Sequence, residues 1–261
     1  MVKLKTSFFS FIILLMFISG CHKKTQIESP GHNVKPIIMI VHGAWGGSWA
    51  FKQVEALLRG KGYDVYRPSL TGQGERVHLA SSDINLNTHI KDVVNVFLYE
   101  ELKDVILVGH SYGGMVVTGV ADSIPERIKQ LIYVDAFVPK DGESVENMNG
   151  EINTWLMQMK KGDYLIPTWV KPDQKPPKDV PHPLGTITER IVLDNALTSK
   201  IPSCYILTVD SGKAPEEDGF ARHAQRAKER GWPVEYLQSD HNPQWSAPNA
   251  FIEMLDRISL K

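Results

Sequence analysis

Short apolar runs alternate with stretches of helical spacing from residue 36 to the end of the chain. Residues 36–41 (PIIMIV) are continuously apolar and stop at His42-Gly43, the pattern of a strand buried on both faces. Similar runs predict strands at 64–68, 104–108, 130–137, 203–209 and 233–237. Between them, Trp49, Val54, Leu57 and Leu58 recur at helical spacing before Gly60, and residues 87–102 carry Ile90, Val93, Val94, Val96 and Phe97 in one broad stripe. Residues 111–121 predict a helix of small side chains, and further helices are expected at about 216–230 and 246–257. The alternation implies an α/β protein with a mainly parallel sheet of about six strands and helices on both faces. Functional loops are then expected at the C-terminal ends of the strands.

Two segments break the rhythm. Residues 140–200 hold six prolines together with Trp155, Trp169 and several methionines, and are too long for a simple connection. They are expected to form a small cap inserted after the fourth strand of one domain, 36–261. At the N-terminus, Lys3 and Lys5 precede an apolar run at 8–18 that is too short to span a bilayer comfortably. The run ends in Ile18-Ser19-Gly20-Cys21, which resembles the bacterial lipobox, whose cysteine is lipidated. Residues 1–21 are therefore expected to be a lipoprotein-type signal peptide and the polar residues 22–35 a tether. The protein would be exported and held to a membrane only by a lipid on Cys21. That leaves Cys204 without a disulfide partner, as a small buried hydrophobe.

Hydrophobic content of 42%, charged content of 23% and a net charge of −1 are ordinary for a globular protein and give no electrostatic footprint for nucleic acid. Lys160, Lys161, Lys171, Lys175 and Lys178 are interleaved with Pro and Asp, as in a solvated loop. No His, Cys and carboxylate cluster has zinc spacing, and the reading calls for no metal or cofactor.

The residues with chemistry cluster at strand ends. Gly109-His-Ser-Tyr-Gly-Gly114 follows an apolar strand and opens a small-residue helix. A serine on such a sharp turn projects its hydroxyl above the sheet, which makes Ser111 the candidate nucleophile. The helix start just beyond it points backbone N–H groups at a developing oxyanion, so Tyr112 N–H and, from the loop after the first strand, Ala44 N–H are the candidate oxyanion hole. A base is expected late in the chain, and His241 lies just past the sixth strand. His42 and His110 read as structural. Two carboxylates qualify as the acid: Asp135 at the end of strand four and Asp210 at the end of strand five. An unpaired charge within the apolar run around Asp135 would be costly, which argues for a partner there, whereas Asp210 also suits a turn. Trp45, Arg76 and His78 are candidate pocket residues, and Trp155, Met157, Met159, Tyr164 and Trp169 a candidate roof.

At these residues the chain resembles the compact α/β-hydrolases that include plant methylesterases, hydroxynitrile lyases and bacterial esterases, some of them macrolide esterases. The resemblance runs from about residue 36 to the C-terminus. It rests on Val41-His-Gly-Ala-Trp-Gly-Gly-Ser-Trp49, Leu70-Thr-Gly-Gln-Gly-Glu-Arg-Val-His-Leu79, Gly109-His-Ser-Tyr-Gly-Gly-Met115 and Val134-Asp-Ala-Phe-Val-Pro139. It implies the α/β-hydrolase fold, a Ser-His-Asp triad and a small-molecule ester, including bulky esters or lactones, as substrate. Hydroxynitrile lyases carry Thr after the first-loop His and Lys after the catalytic His, where this chain has Gly43 and Asn242. The bacterial relatives imply an acid at Asp135, while Asp210 stands about one residue out of the methylesterase register. A lyase or C–C hydrolase on the same triad, and a non-catalytic ligand-binding lipoprotein, are the rival readings.

Overall fold

A computed structural model describes residues 35–148 and 151–260. The signal, Cys21 and the tether up to Val34 lie outside the described residues, whereas Lys35, at the tether's end, is ion-paired with Asp256 at 2.6 Å. Among the described residues no helix is long and apolar enough to cross a membrane.

In chain order the elements begin β1 (Ile37–Val41), α1 (Lys52–Gly60), β2 (Asp64–Tyr66), α2 (Leu86–Tyr99), β3 (Val105–His110), α3 (Gly113–Ser123) and β4 (Ile128–Val134). A second set follows: α4 (Glu151–Gln158), β5 (Lys160–Lys161), β6 (Tyr164–Leu165), β7 (His182–Pro183) and α5 (Gly185–Thr188). The chain closes with β8 (Ser203–Val209), α6 (Ala221–Glu229), β9 (Val234–Gln238), α7 (Pro243–Ser246) and α8 (Pro248–Ser259). Six strands form one parallel sheet in the order β2-β1-β3-β4-β8-β9. This is the mainly parallel sheet expected from the alternating runs, and the α/β-hydrolase architecture that the resemblance implies. Between β4 and β8, the strands β5, β6 and β7 form a separate antiparallel sheet.

The continuous apolar runs are explained by burial on both faces. Met39, Val41, Leu107, Leu131, Tyr133 and Tyr205 pack on one side with residues of α2 and α3. Their strand neighbours Ile38, Ile40, Ile106, Val108, Ile132 and Ile206 pack on the other with α1 and α8. Each fully buried Leu, Ile or Phe in these layers contributes about 1.5–3 kcal/mol. Helix α2 starts at Leu86 because Asn85 caps it: its side chain accepts the Thr88 N–H at 3.0 Å, and Thr88 Oγ1 accepts the Asn85 N–H at 3.4 Å.

Three expected boundaries shift for local reasons. The second strand ends at Tyr66 rather than 68, before Pro68, which has no N–H for a ladder. The helix expected from Trp49 opens instead with a 3-10 turn, Ser48–Phe51, and becomes α-helical at Lys52. The fourth strand ends at Val134 rather than 137, because Asp135 takes a left-handed backbone conformation (φ 44°) that turns the chain out of the ladder. Phe137 N–H then donates to Ser111 O at 3.1 Å instead of to a strand neighbour.

Candidate active site

Strands β1 and β3 are adjacent but lead to opposite sides of the sheet order, so their C-terminal loops diverge and open a crevice there. Register sets Val41 beside Gly109 and His110 beside Val134, which lines up the ends of β1, β3 and β4. The loop at Ala44, the turn at Ser111 and the bend at Asp135 therefore meet at one edge. They line a cavity of about 650 Å³ that also takes in Tyr112, His241 and Trp45.

Three of the residues with positive φ sit here: Trp45 (63°), Ser111 (54°) and Asp135 (44°). Such conformations cost roughly 1–3 kcal/mol each and are held by their surroundings. Ser111 N–H donates to Val134 O at 3.2 Å and Ser111 O accepts the Gly114 N–H at 3.0 Å, so the turn is pinned on both sides. The glycines after it are needed for close approach. A Cβ on Gly113 would lie 2.5 Å from the Val41 carbonyl oxygen, and one on Gly114 would overlap that of Phe137. Because both obstacles are backbone, Gly114→Ala is expected to cost about 3 kcal/mol in urea unfolding, the upper end of overpacking penalties. A variant as stable as the parent would mean that the Phe137 segment yields freely.

His241 Nδ1 stands 2.6 Å from Asp135 Oδ2, and Asp135 is 1% exposed. Its other oxygen accepts the Thr208 N–H at 3.3 Å. The buried charge thus has the partner that the sequence demanded. Asp210 is on the surface, 44% exposed, paired with Lys213 at 2.8 Å, and does not line the cavity. His110 Nε2–H donates to the His241 carbonyl at 2.8 Å, tying the β9–α7 loop to the turn that bears Ser111. Phe220 stacks on the His241 ring, 4.9 Å between centroids. Burial drives the His110 imidazole down to about 3, so it is neutral. The Ala44 and Tyr112 N–H groups donate to no backbone acceptor among the described residues, and both residues face the cavity. His42 is buried between backbone groups, with Nδ1 2.7 Å from Gly43 O and Nε2 accepting the Leu70 N–H at 3.1 Å.

Other expected pocket residues divide. Trp45, Trp155 and Trp169 line the cavity, whereas Met159 is buried in the core and neither Met157 nor Tyr164 reaches it. Arg76 and His78 are corrected: neither lines the cavity. Arg76 is drawn back to Ser69 O at 3.0 Å and to Asp92 at 3.5 Å, and His78 lies on an exposed 3-10 turn near Glu75 O. Asp179, Asp218, Phe220 and Trp245 also line the cavity and escaped the sequence reading, because no strand end or motif marks them.

The carbendazim hydrolyzing esterase of Nocardioides sp. (strain SG-4G) is 53% identical over 107 residues, a stretch that covers 41% of this chain and 44% of that protein. The pFDCC methylesterase MES16 of Arabidopsis thaliana is 29% identical over 259 residues, covering 85% of this chain and 95% of that one. Among solved structures, an extracellular alpha/beta-hydrolase from a Paenibacillus species superposes with a TM-score of 0.71 at 23% identity over 85% of this chain and 98% of its own, a likeness of fold. The model of the alpha/beta hydrolase family matches residues 38–254, which include the turn at Ser111, Asp135 and His241, and the chain belongs to that family.

Proposed function

We propose that the protein is a serine carboxylic ester hydrolase. The observation that carries this reading is the 2.6 Å contact of His241 Nδ1 with buried Asp135 at the cavity wall that also presents Ser111. With Nδ1–H donated to Asp135, the imidazole is neutral at Nε2 and able to take a proton. Ser111 Oγ attacks the ester carbonyl as His241 removes its proton. The oxyanion is held by the N–H groups of Ala44, in the loop after β1, and of Tyr112, at the start of α3. His241 then protonates the leaving alcohol, and a water activated by the same imidazole releases the acid from the acyl-enzyme.

Hydrolysis is favoured over cyanohydrin cleavage at Gly43. A Cβ there would come within 2.9 Å of Ser111 Cβ, so a threonine at this position would crowd the nucleophile. A fluorophosphonate probe is expected to label Ser111 stoichiometrically, with Ser111→Ala abolishing both the label and turnover of short p-nitrophenyl esters. A Ser111→Ala protein that retains full esterase activity would sink the reading.

A further inference from the structure

The cavity carries more than Ser111 requires. Its lining includes Asp179 and Asp218 in addition to Asp135, and none of its lining residues is Lys or Arg. Asp179 Oδ2 accepts the Trp169 indole N–H at 2.7 Å, and Asp179 has no ion-pair partner among the described residues. Burial pushes its carboxyl up, the mark of a carboxylate that lacks a cation.

Around it stand three indoles. Trp155 and Trp169 are parallel within 5° at 6.0 Å between centroids, and Trp45 meets them edge-on at 5.9 and 5.1 Å. Trp155 and Trp169 are nearly half exposed, 47% and 46%, although they line a cavity. The indole N–H groups of Trp45 and Trp169 are already engaged, with Leu165 O and Asp179, and Trp45, 8% exposed, backs the two wetter rings. Trp45 O accepts the Val180 N–H at 2.9 Å, which fixes the Asp179 segment against Trp45.

Wet aromatic faces beside an unpaired, partly desolvated carboxylate call for one ligand chemistry. An aromatic ring gains contact with the indoles, and a cationic nitrogen on it pairs with Asp179 and gains further attraction from indole faces. A neutral group leaves the carboxylate unpaired in a drier site, and an anionic one adds like charge. Asp218, which also lines the cavity, adds a second negative charge to it, with Oδ1 accepting the Phe220 N–H at 2.7 Å. Resting on the ester-hydrolase reading, we propose that the preferred substrates are esters bearing an aromatic ring with a protonated amine, seated on Trp45, Trp155, Trp169 and Asp179, and that carboxylate-bearing esters are rejected.

Binding tests this without chemistry at Ser111. Titration calorimetry of the protein with benzylamine, benzyl alcohol and benzoate at pH 7.5 is expected to give at least tenfold tighter binding of benzylammonium than of the alcohol, and none of benzoate. Asp179→Asn should bring the amine within about twofold of the alcohol. Equal affinity for all three probes, or preferential binding of benzoate, overturns the proposal. Should Asp179→Asn misfold, the wild type decides by turnover of 4-(aminomethyl)benzyl, benzyl and 4-carboxybenzyl acetates, with kcat/KM expected to fall in that order. Equal kcat/KM for the three, or the reverse order, overturns the charge preference, whereas no turnover of any of them, with no probe label on Ser111, is failure of the esterase reading instead.

Discussion

Replacing Asp135 with Asn is expected to lower kcat on a short p-nitrophenyl ester by about 10⁴-fold while leaving KM within a fewfold. Among the described residues Asp135 alone meets the His241 Nδ1, at 2.6 Å. A carboxylate there accepts the Nδ1 proton and leaves Nε2 basic. An amide that turns its NH₂ toward the ring donates to Nδ1 and moves the proton to Nε2, the tautomer that cannot deprotonate Ser111. Asn is close in shape to Asp, and the Thr208 N–H can still bond the remaining oxygen, so the fold persists. Asp210→Asn is the control. Its carboxylate is paired with Lys213 at the surface, and surface pairs contribute 0–1 kcal/mol, so activity should stay within about twofold. A collapse with Asp210→Asn and none with Asp135→Asn would reverse the assignment of the acid.

The parts of this site that could be read from sequence are those written into local pattern. A buried strand, a sharp turn and a small-residue helix leave a contiguous trace, so Ser111, its glycines and the loop at Ala44 were legible. The costly charge in the apolar run 130–137 was legible too, since a buried carboxylate in a strand end requires a partner. Whether Asp135 or Asp210 holds His241 stayed open, because Asp135 and His241 are 106 residues apart and the register of β4, β8 and β9 brings their ends together. Arg76 and His78 were misplaced for the complementary reason. The loop after β2 runs at the right end of the sheet, but Arg76 turns to the backbone of Ser69 and to Asp92 rather than inward. Asp179 and Asp218 come from irregular segments, where periodicity says nothing about the direction of a side chain.

Acid is expected to unfold the protein at mildly low pH, near 5, because of histidines outside the proposed chemistry. Burial lowers His42 and His89 to about 4 and His110 and His223 to about 3, and holds His182 well below its ordinary 6.5. In the neutral form each fits its hydrogen bonds. His42 and His223 accept the N–H groups of Leu70 and Val138, and His89 lies between Tyr112 OH and Thr71 O. A group whose folded value is depressed in this way takes up its proton first in the unfolded chain. Stability is therefore complete above pH 6.5 and falls as pH drops from 6.5 toward 4. At pH 5, about 1.5 units below the unfolded value, each such histidine costs about 2 kcal/mol at 1.36 kcal/mol per unit. The four at about 3 to 4 together approach about 8 kcal/mol, most of the stability of an ordinary domain, and His182 acts in the same direction. Asp218, raised to about 6 by burial, and Asp179, raised in the same way, work in the opposite sense, but they are two groups against five. Urea unfolding at pH 7.5, 6.5, 5.5 and 5.0 should show a nearly level free energy between the first two and a steep fall after them. A stability that is unchanged at pH 5 would mean that these imidazoles are solvated or charged in the fold, contrary to their burial.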